Sequence, residues 1–542
     1  MCSIKGIFYD GLCSFSDSIT EDGITLVFCG ELYNKPENDS LIKLYLHYGF
    51  DFLQRLRGIY AFVLWDSQKR ILICARDPLG VKSFLYSITP QGFVFASELK
   101  SLLASGLVSR EVDRQSLRCL LERGSVSQPA SILKDVHWLL PGHILILREG
   151  STPEIRCFAP LQTNKVDTTG MNWEDIAAEG KSRIITALER RIIANDLPGA
   201  FLSGGIDSSL LVALMIERYG NVRTFSVGFE SGLNTASEDE TNDACEVALH
   251  LGVEHNTVIV RQAEIADNLR AVASGLDHPT VDGVNSWFAA KAVSGELNAV
   301  ISGTGGDELF AGYPWFVAMQ QWASPSKWQR FKHCLKRETF LSVFNKQYRI
   351  FSSVDAIALC HDTRVPNVRP DPLSKAESLN RVTGLLLQGY ARDQLLADID
   401  AAAMYHGLVF RFPLLDEDLL DFALSLPPEA KIGSVDNEAL SGSYAATGVK
   451  RLLMAIGEPL LPEGFSHRAK RGFTLPFDGW LRGVLADQMN DLLSESIVKK
   501  RGFFEPTVVN VIKRRFIEGK THWTQPWLLM MTELWAQEVL DV

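Results

Sequence analysis

An α/β fold with two domains is predicted from three features of the sequence. Apolar runs of four to six residues, bounded by polar turns, recur through residues 1–165 and indicate short strands. From residue 173 onward strands and helices alternate, which is typical of a doubly wound parallel sheet. A polar stretch, residues 162–173, separates the two patterns and is the best candidate for a linker. We therefore predict one domain at residues 1–165 and a second at residues 166–542.

The same patterns predict the individual elements. In the first domain the main helix is predicted at residues 40–47, and strands at 24–28, 60–65, 71–75, 92–95 and 143–147. In the second domain we predict helices at residues 173–195, 210–219 and 238–251, and strands at 199–202, 223–229, 256–260 and 299–302. Residues after about 310 are expected to be mostly helical.

The composition is that of an ordinary globular protein, and it excludes several classes of function. Of the 542 residues, 46% are hydrophobic and 22% are charged. The formal net charge of −11 argues against a protein that binds a nucleic-acid backbone. The nine cysteines form no CxxC pair and the histidines show no zinc-ligand spacing, so we expect neither disulfides nor zinc. Lacking a signal peptide and any apolar run of about 18–20 residues, the chain is expected to be cytoplasmic with no membrane partner.

A Gly/Ser-rich octapeptide follows the strand predicted at residues 199–202 and leads into a helix. Its residues are Leu202, Ser203, Gly204, Gly205, Ile206, Asp207, Ser208 and Ser209. Backbone N–H groups at the start of a helix favour a phosphate, and glycines let the phosphate approach the backbone. Asp207 can hold a magnesium ion. The alternative is a Gly/Ser turn that only caps the helix, and the Gly-Lys-Thr/Ser ending of a Walker loop is absent.

A second glycine-rich loop follows the strand predicted at residues 299–302. Its residues are Ser302, Gly303, Thr304, Gly305, Gly306, Asp307 and Glu308. Because loops at the carboxyl ends of parallel strands build the ligand crevice, Asp207 and Asp307 could share one Mg²⁺ on a triphosphate. Taken alone, the loop is only a glycine-rich entry to a helix with an acidic first turn.

A third segment, residues 466–477, brings Arg468, Lys470 and Arg471 together among glycine and proline. Such cations could stabilise charge on a transferring phosphoryl group. The alternative is a solvated basic loop.

In order and in residues, these three segments resemble the asparagine synthetase-like family. Further matching stretches are residues 58–66, 76–80, 95–100, 141–143, 279–282 and 411–416, so the resemblance covers nearly the whole chain. The family joins an N-terminal Ntn-type glutaminase domain to an ATP-pyrophosphatase domain. The resemblance implies an Ntn-type αββα sandwich, shortened here, before the doubly wound sheet with its helical C-terminal part. In character the chain is similar to divergent members such as β-lactam synthetase and the lasso-peptide cyclases.

The resemblance also implies an activity and a site. Family members adenylate a carboxylate with ATP and Mg²⁺, release pyrophosphate and pass the acyl group to an amine. By this match Asp207 and Asp307 are the magnesium ligands, and Lys470 stabilises the adenylation transition state. The ATP-binding residues so implied are Leu202, Ser203, Gly204, Gly205, Asp207, Ser208, Ser209, Val227, Gly228, Ser302, Gly303 and Gly305. Among these, the backbone of Val227 and Gly228 would hold adenine.

The glutaminase half departs from the family pattern. Cys2 matches the family nucleophile once Met1 is removed, but Cys29 replaces the oxyanion-hole Asn and the Arg-containing segments that bind glutamine are missing. Losing one oxyanion donor costs about a hundred- to a thousandfold in rate. Too few residues separate Cys2 from Cys29 for the family's usual strands. We therefore predict a degenerate glutaminase in which Cys2 is a relic.

The residues expected to contact the acyl substrate also depart from the family pattern. Thr304 stands where asparagine synthetases carry an acid, and Ala401, Ala403 and Val409 stand where related members carry Arg, Ser and Glu. These residues predict a roomier, more apolar pocket that suits aspartate poorly. The alternative is that helical positions 401, 403 and 409 do not all face the pocket.

Three functions follow as hypotheses. The first is an ATP-dependent amide-forming ligase with an inactive glutaminase, acting in natural-product or lasso-type macrolactam biosynthesis. The second is a glutamine-dependent amidotransferase that uses Cys2, and the third is a non-catalytic partner protein. The expected substrates are a small-molecule or peptide carboxylate and an amine, with no nucleic acid. A precursor peptide, a partner enzyme and a homo-oligomer stay open as partners.

Overall fold

The computed structural model describes residues 4–9, 12–15, 18–34, 40–193, 197–230, 241–325, 336, 338–365, 371–433, 442–470, 472 and 475–542. Cys2 and Arg471 lie outside the described residues. The first eleven strands are β1 Lys5–Tyr9, β2 Leu12–Phe15, β3 Ile19–Glu21, β4 Ile24–Leu32, β5 Gly58–Asp66, β6 Ile71–Arg76, β7 Leu85–Thr89, β8 Gly92–Ala96, β9 Val136–Trp138, β10 His143–Arg148 and β11 Glu154–Cys157.

These strands form two antiparallel sheets that face each other. One sheet has the order β2-β1-β8-β7-β9 and the other the order β11-β10-β6-β5-β4-β3. Strand β5 contributes side chains to two hydrophobic cores. Its side chains alternate, so that Ala61 and Val63 pack into the core between the sheets while Phe62 and Leu64 pack into a core on the outer face. Helix Leu41–Tyr48 packs into that outer core.

The opposite sheet is covered by two helices, Leu99–Ala104 and Arg114–Arg123, whose buried leucines share a core with Leu85 and Val94. Helix, sheet, sheet and helix therefore stack as the expected αββα sandwich. The expectation that too few residues separate Cys2 from Cys29 for strands needs correction, because β1, β2 and β3 all lie between residues 2 and 29. Strands of three to five residues fit into this short stretch of chain.

A parallel sheet forms the core of the rest of the chain. Its strands are β12 Gly199–Phe201, β13 Arg223–Phe229, β14 Glu254–Val260, β15 Ala299–Ile301 and β16 Val409–Arg411. All neighbours run parallel in the order β14-β13-β12-β15-β16. The chain therefore winds outward from β12 in both directions, which confirms the doubly wound sheet.

Helices surround this sheet and form the C-terminal part, as predicted. Those before residue 300 are Trp173–Arg190, Ile206–Tyr219, Thr241–Leu251, Gln262–Leu276 and Val284–Val293. Those that follow are Gly306–Leu309, Pro314–Ala323, Phe340–Lys346, Ser353–Cys360, Ser378–Leu387, Leu396–His406, Glu417–Ala423, Pro428–Lys431, Tyr444–Thr447, Arg451–Gly457, Phe477–Arg482, Ala486–Leu492, Glu495–Arg501, Pro506–Ile517 and Thr524–Trp535. The helix predicted at residues 210–219 begins four residues earlier, directly after Gly205.

Two buried polar contacts tie the sandwich to the parallel sheet. The carboxylate of Asp277 accepts hydrogen bonds from the backbone N–H groups of Leu99 and Lys100, so a residue of one region caps a helix of the other. Arg411, at the end of β16, donates to both carboxylate oxygens of Glu31 in β4, at 2.9 and 2.7 Å. Within the described ranges, no helix has the length and apolarity needed to cross a membrane.

Candidate active site

A cavity of about 560 Å³ opens at the carboxyl ends of β12, β13, β15 and β16. This edge is where ligands bind in open parallel sheets, because the loops that leave the strands surround it. Both glycine-rich loops line the cavity, together with residues from helices Val284–Val293 and Leu396–His406.

Hydrogen bonds within the chain fix the conformation of the first glycine-rich loop. Ser208 Oγ accepts from the backbone N–H of Ser203 at 3.0 Å and lies 3.1 Å from Ser203 Oγ. Gly204 has a φ of +79°, and a Cβ there would collide with Asp243, so this position requires glycine. The hydroxyl of Tyr444 accepts from the backbone N–H of Ile206 at 3.3 Å, where the helix begins.

The second loop lies against the first. A Cβ at Gly303 would be 3.0 Å from both the Asp207 Cβ and the Ser208 backbone nitrogen, and one at Gly306 would collide with the Asp207 carboxylate. These glycines allow the close approach that brings Asp207 and Asp307 together. The prediction that the two loops share one site is therefore met by their geometry.

Two lysines and two aspartates form a partly buried charge cluster in the cavity wall. Lys450 Nζ pairs with Asp207 Oδ2 and lies 2.8 Å from Asp307 Oδ1. Lys470 Nζ lies 3.0 Å from the same oxygen of Asp307. The Lys450 side chain is only 1% exposed, so both carboxylates offset the cost of burying its charge.

The cluster shifts the pKa values of its members in opposite directions. Burial raises the pKa of Asp207; Lys450 opposes the rise and Asp307 adds to it. Burial also acts on Asp307, but Lys450 and Lys470 outweigh it and lower the pKa of this carboxyl to about 2. For Lys450, burial favours a lower pKa, yet the two carboxylates hold it above its ordinary value. Lys450 and Asp307 therefore stay charged at neutral pH.

The donor set fits a magnesium ion that is also held by phosphates. Asp207 Oδ1 is buried and, among the described residues, accepts no hydrogen bond. A hard carboxylate oxygen of this kind is the ligand that Mg²⁺ prefers. Three or more His, Cys, Asp or Glu residues do not cluster anywhere in the described ranges, so a metal held by protein side chains alone finds no site there.

Sequence reasoning missed Lys450. This lysine stands just before helix Arg451–Gly457 with a φ of +55°, and nothing in its neighbourhood along the chain separates it from a surface lysine. It is 243 residues from Asp207, its partner in the cluster. The family resemblance implies only Lys470 as the lysine of the site, so the second cation of the cluster is evident only from the fold.

Most residues predicted to bind ATP line the cavity. Those that do are Leu202, Ser203, Gly205, Asp207, Ser208, Val227, Ser302, Gly303 and Gly305, joined by Asp307, Thr304 and Lys470. Gly204, Ser209 and Gly228 do not line it. Gly204 faces Asp243, Ser209 is fully buried behind the loop, and Gly228 lies within β13. Their roles in binding stay predictions.

The predicted substrate wall needs correction. Ala401, Ala403 and Val409 do not line the cavity, whereas Ile399 and Phe410 of the same segment do. Along a helix, Ala401 is turned about 200° from Ile399, and along a strand Val409 and Phe410 point to opposite faces. Ala403 lies about one helical turn beyond Ile399 and is buried in the hydrophobic core.

Glu308, in the second loop, accepts hydrogen bonds through both carboxylate oxygens. Glu308 Oε1 accepts from the Tyr313 hydroxyl at 2.6 Å, and Glu308 Oε2 accepts from the Gly305 backbone N–H at 3.1 Å. Burial and then the charge of Asp307 raise the pKa of Glu308 to about 7, although Tyr313 opposes the rise. The ring of Tyr390 meets Tyr313 edge to face at 6.1 Å.

In the predicted glutaminase half, Cys29 is buried within β4 and two residues before Glu31, which pairs with Arg411. Cys2 lies outside the described residues, so its predicted role as a relic nucleophile is untested.

Comparison with known proteins finds two family models that match different parts of the chain. Residues 179–537 match the family model for asparagine synthase, and residues 31–158 match that for a glutamine amidotransferase domain. Asparagine synthetase (glutamine-hydrolyzing) 1 of Bacillus subtilis is 25% identical over 535 residues, covering 88% of this chain and 80% of its own. Asparagine synthetase (glutamine-hydrolyzing) 3 of Bacillus subtilis is 26% identical over 482 residues, covering 83% of this chain and 75% of its own.

A fungal relative carries a different name. Amidase chyE of Penicillium rubens is 26% identical over 526 residues, covering 86% of this chain and 76% of its own. The asparagine synthase model alone spans well over half of the 542 residues. This chain belongs to the asparagine synthase family, whose members are ATP-dependent ligases that form carbon–nitrogen bonds.

Proposed function

We propose that this chain adenylates a substrate carboxylate with ATP and passes the acyl group to an amine that its own glutaminase domain does not supply. The observation that carries the proposal is the cluster of Lys450, Lys470, Asp207 and Asp307 in the cavity wall. Two cations beside two carboxylates, at the edge of the sheet where two phosphate-binding loops meet, suit the transfer of a nucleotidyl group.

In the first step a carboxylate oxygen attacks the α-phosphorus of ATP. A new P–O bond forms, the bond to the bridging oxygen of the β-phosphate breaks, and pyrophosphate leaves with the negative charge. Lys450 and Lys470 stabilise the charge that builds on these oxygens, because they are fixed in place before the reaction starts. Asp207 and Asp307 would hold Mg²⁺, which neutralises phosphate charge when bound.

In the second step the amine attacks the acyl carbon. A C–N bond forms, the C–O bond to the phosphate breaks, AMP leaves and the amine loses a proton. Glu308 lies in the cavity wall with a raised pKa, and its hydrogen-bonded partner Tyr313 lines the same cavity. Together they offer this step a route for the proton.

Three features support an inactive glutaminase. Cys29 occupies the position of an oxyanion donor, the Arg-containing segments for glutamine are absent, and Glu31 is engaged by Arg411. Part of the cavity wall is apolar, with Leu395, Ile399 and Phe410. A natural-product or peptide acid, including one that closes a macrolactam, suits this wall better than aspartate, and the amidase name of a fungal relative agrees with such divergence.

The test follows the carboxylate oxygen. A panel of amino acids, peptides and other carboxylic acids, each labelled with ¹⁸O in the carboxylate, is incubated with ATP, Mg²⁺ and hydroxylamine as the amine. One ¹⁸O atom is expected in AMP, because the attacking oxygen stays with the phosphate when the acyl group leaves. Asp307→Asn is the matched control and should abolish the transfer. Label in inorganic phosphate with ADP as product, or no label in AMP for any acid, would contradict the proposal.

The second candidate is a glutamine-dependent amidotransferase, which the amidotransferase match at residues 31–158 and the presence of Cys2 favour. Glutamate release from glutamine is measured for the wild type and for Cys2→Ala. Release that depends on Cys2 would establish this second function and remove the inactive-glutaminase part of our proposal. A chain that fails to bind ATP–Mg²⁺ would instead point to a non-catalytic partner protein.

A further inference from the structure

The cavity wall contains two chemically different sets of residues. Lys450 and Lys470, each paired with Asp307, lie with the two glycine-rich loops. The second set comprises the start of helix Val284–Val293, Tyr390 and the face of helix Leu396–His406 that carries Ile399. This second set is named the substrate end below, and the assignment rests on the proposed function.

Outside the lysine–aspartate cluster, the charged groups of the cavity wall are acidic. Among the described residues that line the cavity, the charged ones outside the lysine–aspartate cluster are Asp282 and Glu308. Glu308 is 2% exposed, and its two oxygens accept hydrogen bonds from Gly305 and Tyr313. Asp282 is less buried and is therefore the carboxylate that the substrate end offers to a ligand.

The surroundings of Asp282 add negative charge. Asp398 lies behind it and accepts from His278 Nε2 at 2.8 Å and from the Thr280 hydroxyl at 3.1 Å. Burial and then Asp398 raise the pKa of Asp282 to about 7, while hydrogen bonds from Gly283 and Gln394 oppose the rise. A positive ligand placed here would favour the ionised form of Asp282.

The other walls of this end are apolar or neutral. Leu395, Ile399, Phe410 and Ala289 offer apolar surface, and Asn285 and Ser286 offer hydrogen-bonding groups. A second carboxylate on the substrate would meet Asp282 without a cation among the lining residues described, and burying such an unpaired charge is costly. An ammonium group on a short methylene chain would gain both a charge partner and apolar contacts.

We infer that the substrate end binds an amine-bearing group through Asp282, and that it selects against a substrate with a second free carboxylate. The ligand class is a primary amine on an aliphatic chain, belonging to the acid or to the nucleophile. Asp282 is thus a specificity-determining residue, distinct from the cluster around Lys450.

The test measures binding rather than turnover, so its result stands apart from that of the adenylation assay. α,β-Methylene ATP with Mg²⁺ occupies the site beside the lysines, and ligand-detected NMR then gives the Kd of three probes that share one carboxylate and the same chain length: 5-aminopentanoate, 5-hydroxypentanoate and pentanedioate. We expect the wild type to bind 5-aminopentanoate about 10- to 100-fold more tightly than pentanedioate, as a desolvated charge pair requires.

Asp282→Asn should remove this preference, and Asp282→Lys should reverse it. The matched control, Asp267→Asn, changes an exposed aspartate of helix Gln262–Leu276 and should leave the preference unchanged. Wild type that binds pentanedioate as tightly as 5-aminopentanoate, or that binds neither, would overturn the inference. An unchanged preference in a folded Asp282→Asn protein would overturn it as well.

Discussion

Lys82 Nζ and Asp400 Oδ1 lie 2.7 Å apart and join the sandwich to the helix Leu396–His406. The side chains are 8% and 2% exposed, and Asp400 Oδ2 also accepts from the Ser83 backbone N–H at 2.8 Å. Burial favours a lower pKa for Lys82, but Asp400 outweighs it and the pKa lies well above the ordinary value. Lys82 therefore remains charged, and its contact with Asp400 joins the two regions.

Breaking this pair should destabilise the protein strongly. Lys82→Met leaves Asp400 buried without its cation, and we expect a loss of about 3–5 kcal/mol in the free energy of unfolding. Adding Asp400→Asn should recover part of the loss, because the uncompensated charge disappears. Urea unfolding measures both. Lys134→Met, which removes an exposed pair with Glu111, is the control and should cost about 1 kcal/mol or less. An equally small effect for Lys82→Met would show that the pair does not hold the regions together.

Lys431 makes stability depend on pH. Its side chain is fully buried and donates to Asn380 Oδ1 at 2.8 Å, and burial lowers its pKa to about 7 from 10.5. Between these values the unfolded chain binds more protons than the folded one, so burial of Lys431 destabilises the fold by an amount that is absent above pH 10.5 and grows as pH falls toward 7. From pH 8 to 10 the free energy of unfolding of the wild type should rise by about 1.4 kcal/mol per pH unit relative to that of Lys431→Met. A difference that does not vary with pH would refute this.

Gly312 tests the packing of the charge cluster. A Cβ at this position would collide with the Asp307 carboxylate and the Lys450 Cε, so Gly312→Ala should displace both groups. We expect at least about a tenfold fall in the rate of ATP–pyrophosphate exchange, since misplaced groups lose transition-state stabilisation. The control is Gly295→Ala, where a Cβ meets nothing within 4 Å, and its exchange rate should match that of the wild type. Equal rates for both variants would mean that the tight fit around Gly312 is irrelevant to function.

The sequence predicts the elements whose signals are local. Strand β5 contains the apolar run 60–65, and the loop of residues 202–209 lies between a strand and a helix as its glycines indicate. Helix Arg114–Arg123 was missed because its mean character is polar, although Asp113 and Gly124 cap its ends as the capping rules describe.

The site could be predicted only in part, for a physical reason. Asp207 and Asp307 follow strands of one parallel sheet, so the topology brings them together once the sheet is recognised. Lys450 and Asp282 stand in turns just before helices Arg451–Gly457 and Val284–Val293. The approach of these turns to the cavity depends on tertiary packing, which no local pattern reveals. The same dependence explains why Ile399 and Phe410, rather than Ala401 and Val409, line the substrate wall.

The central claim is that the cluster around Lys450 adenylates a carboxylate. ATP–pyrophosphate exchange, measured across a panel of carboxylic acids for wild type and Lys450→Met, tests this most directly. We expect exchange that depends on at least one acid, and a loss of about a hundred- to a thousandfold in Lys450→Met, because one fixed cation at the transferring phosphate is removed. Acid-dependent exchange that persists unchanged in Lys450→Met, or no acid-dependent exchange in the wild type, would contradict the claim.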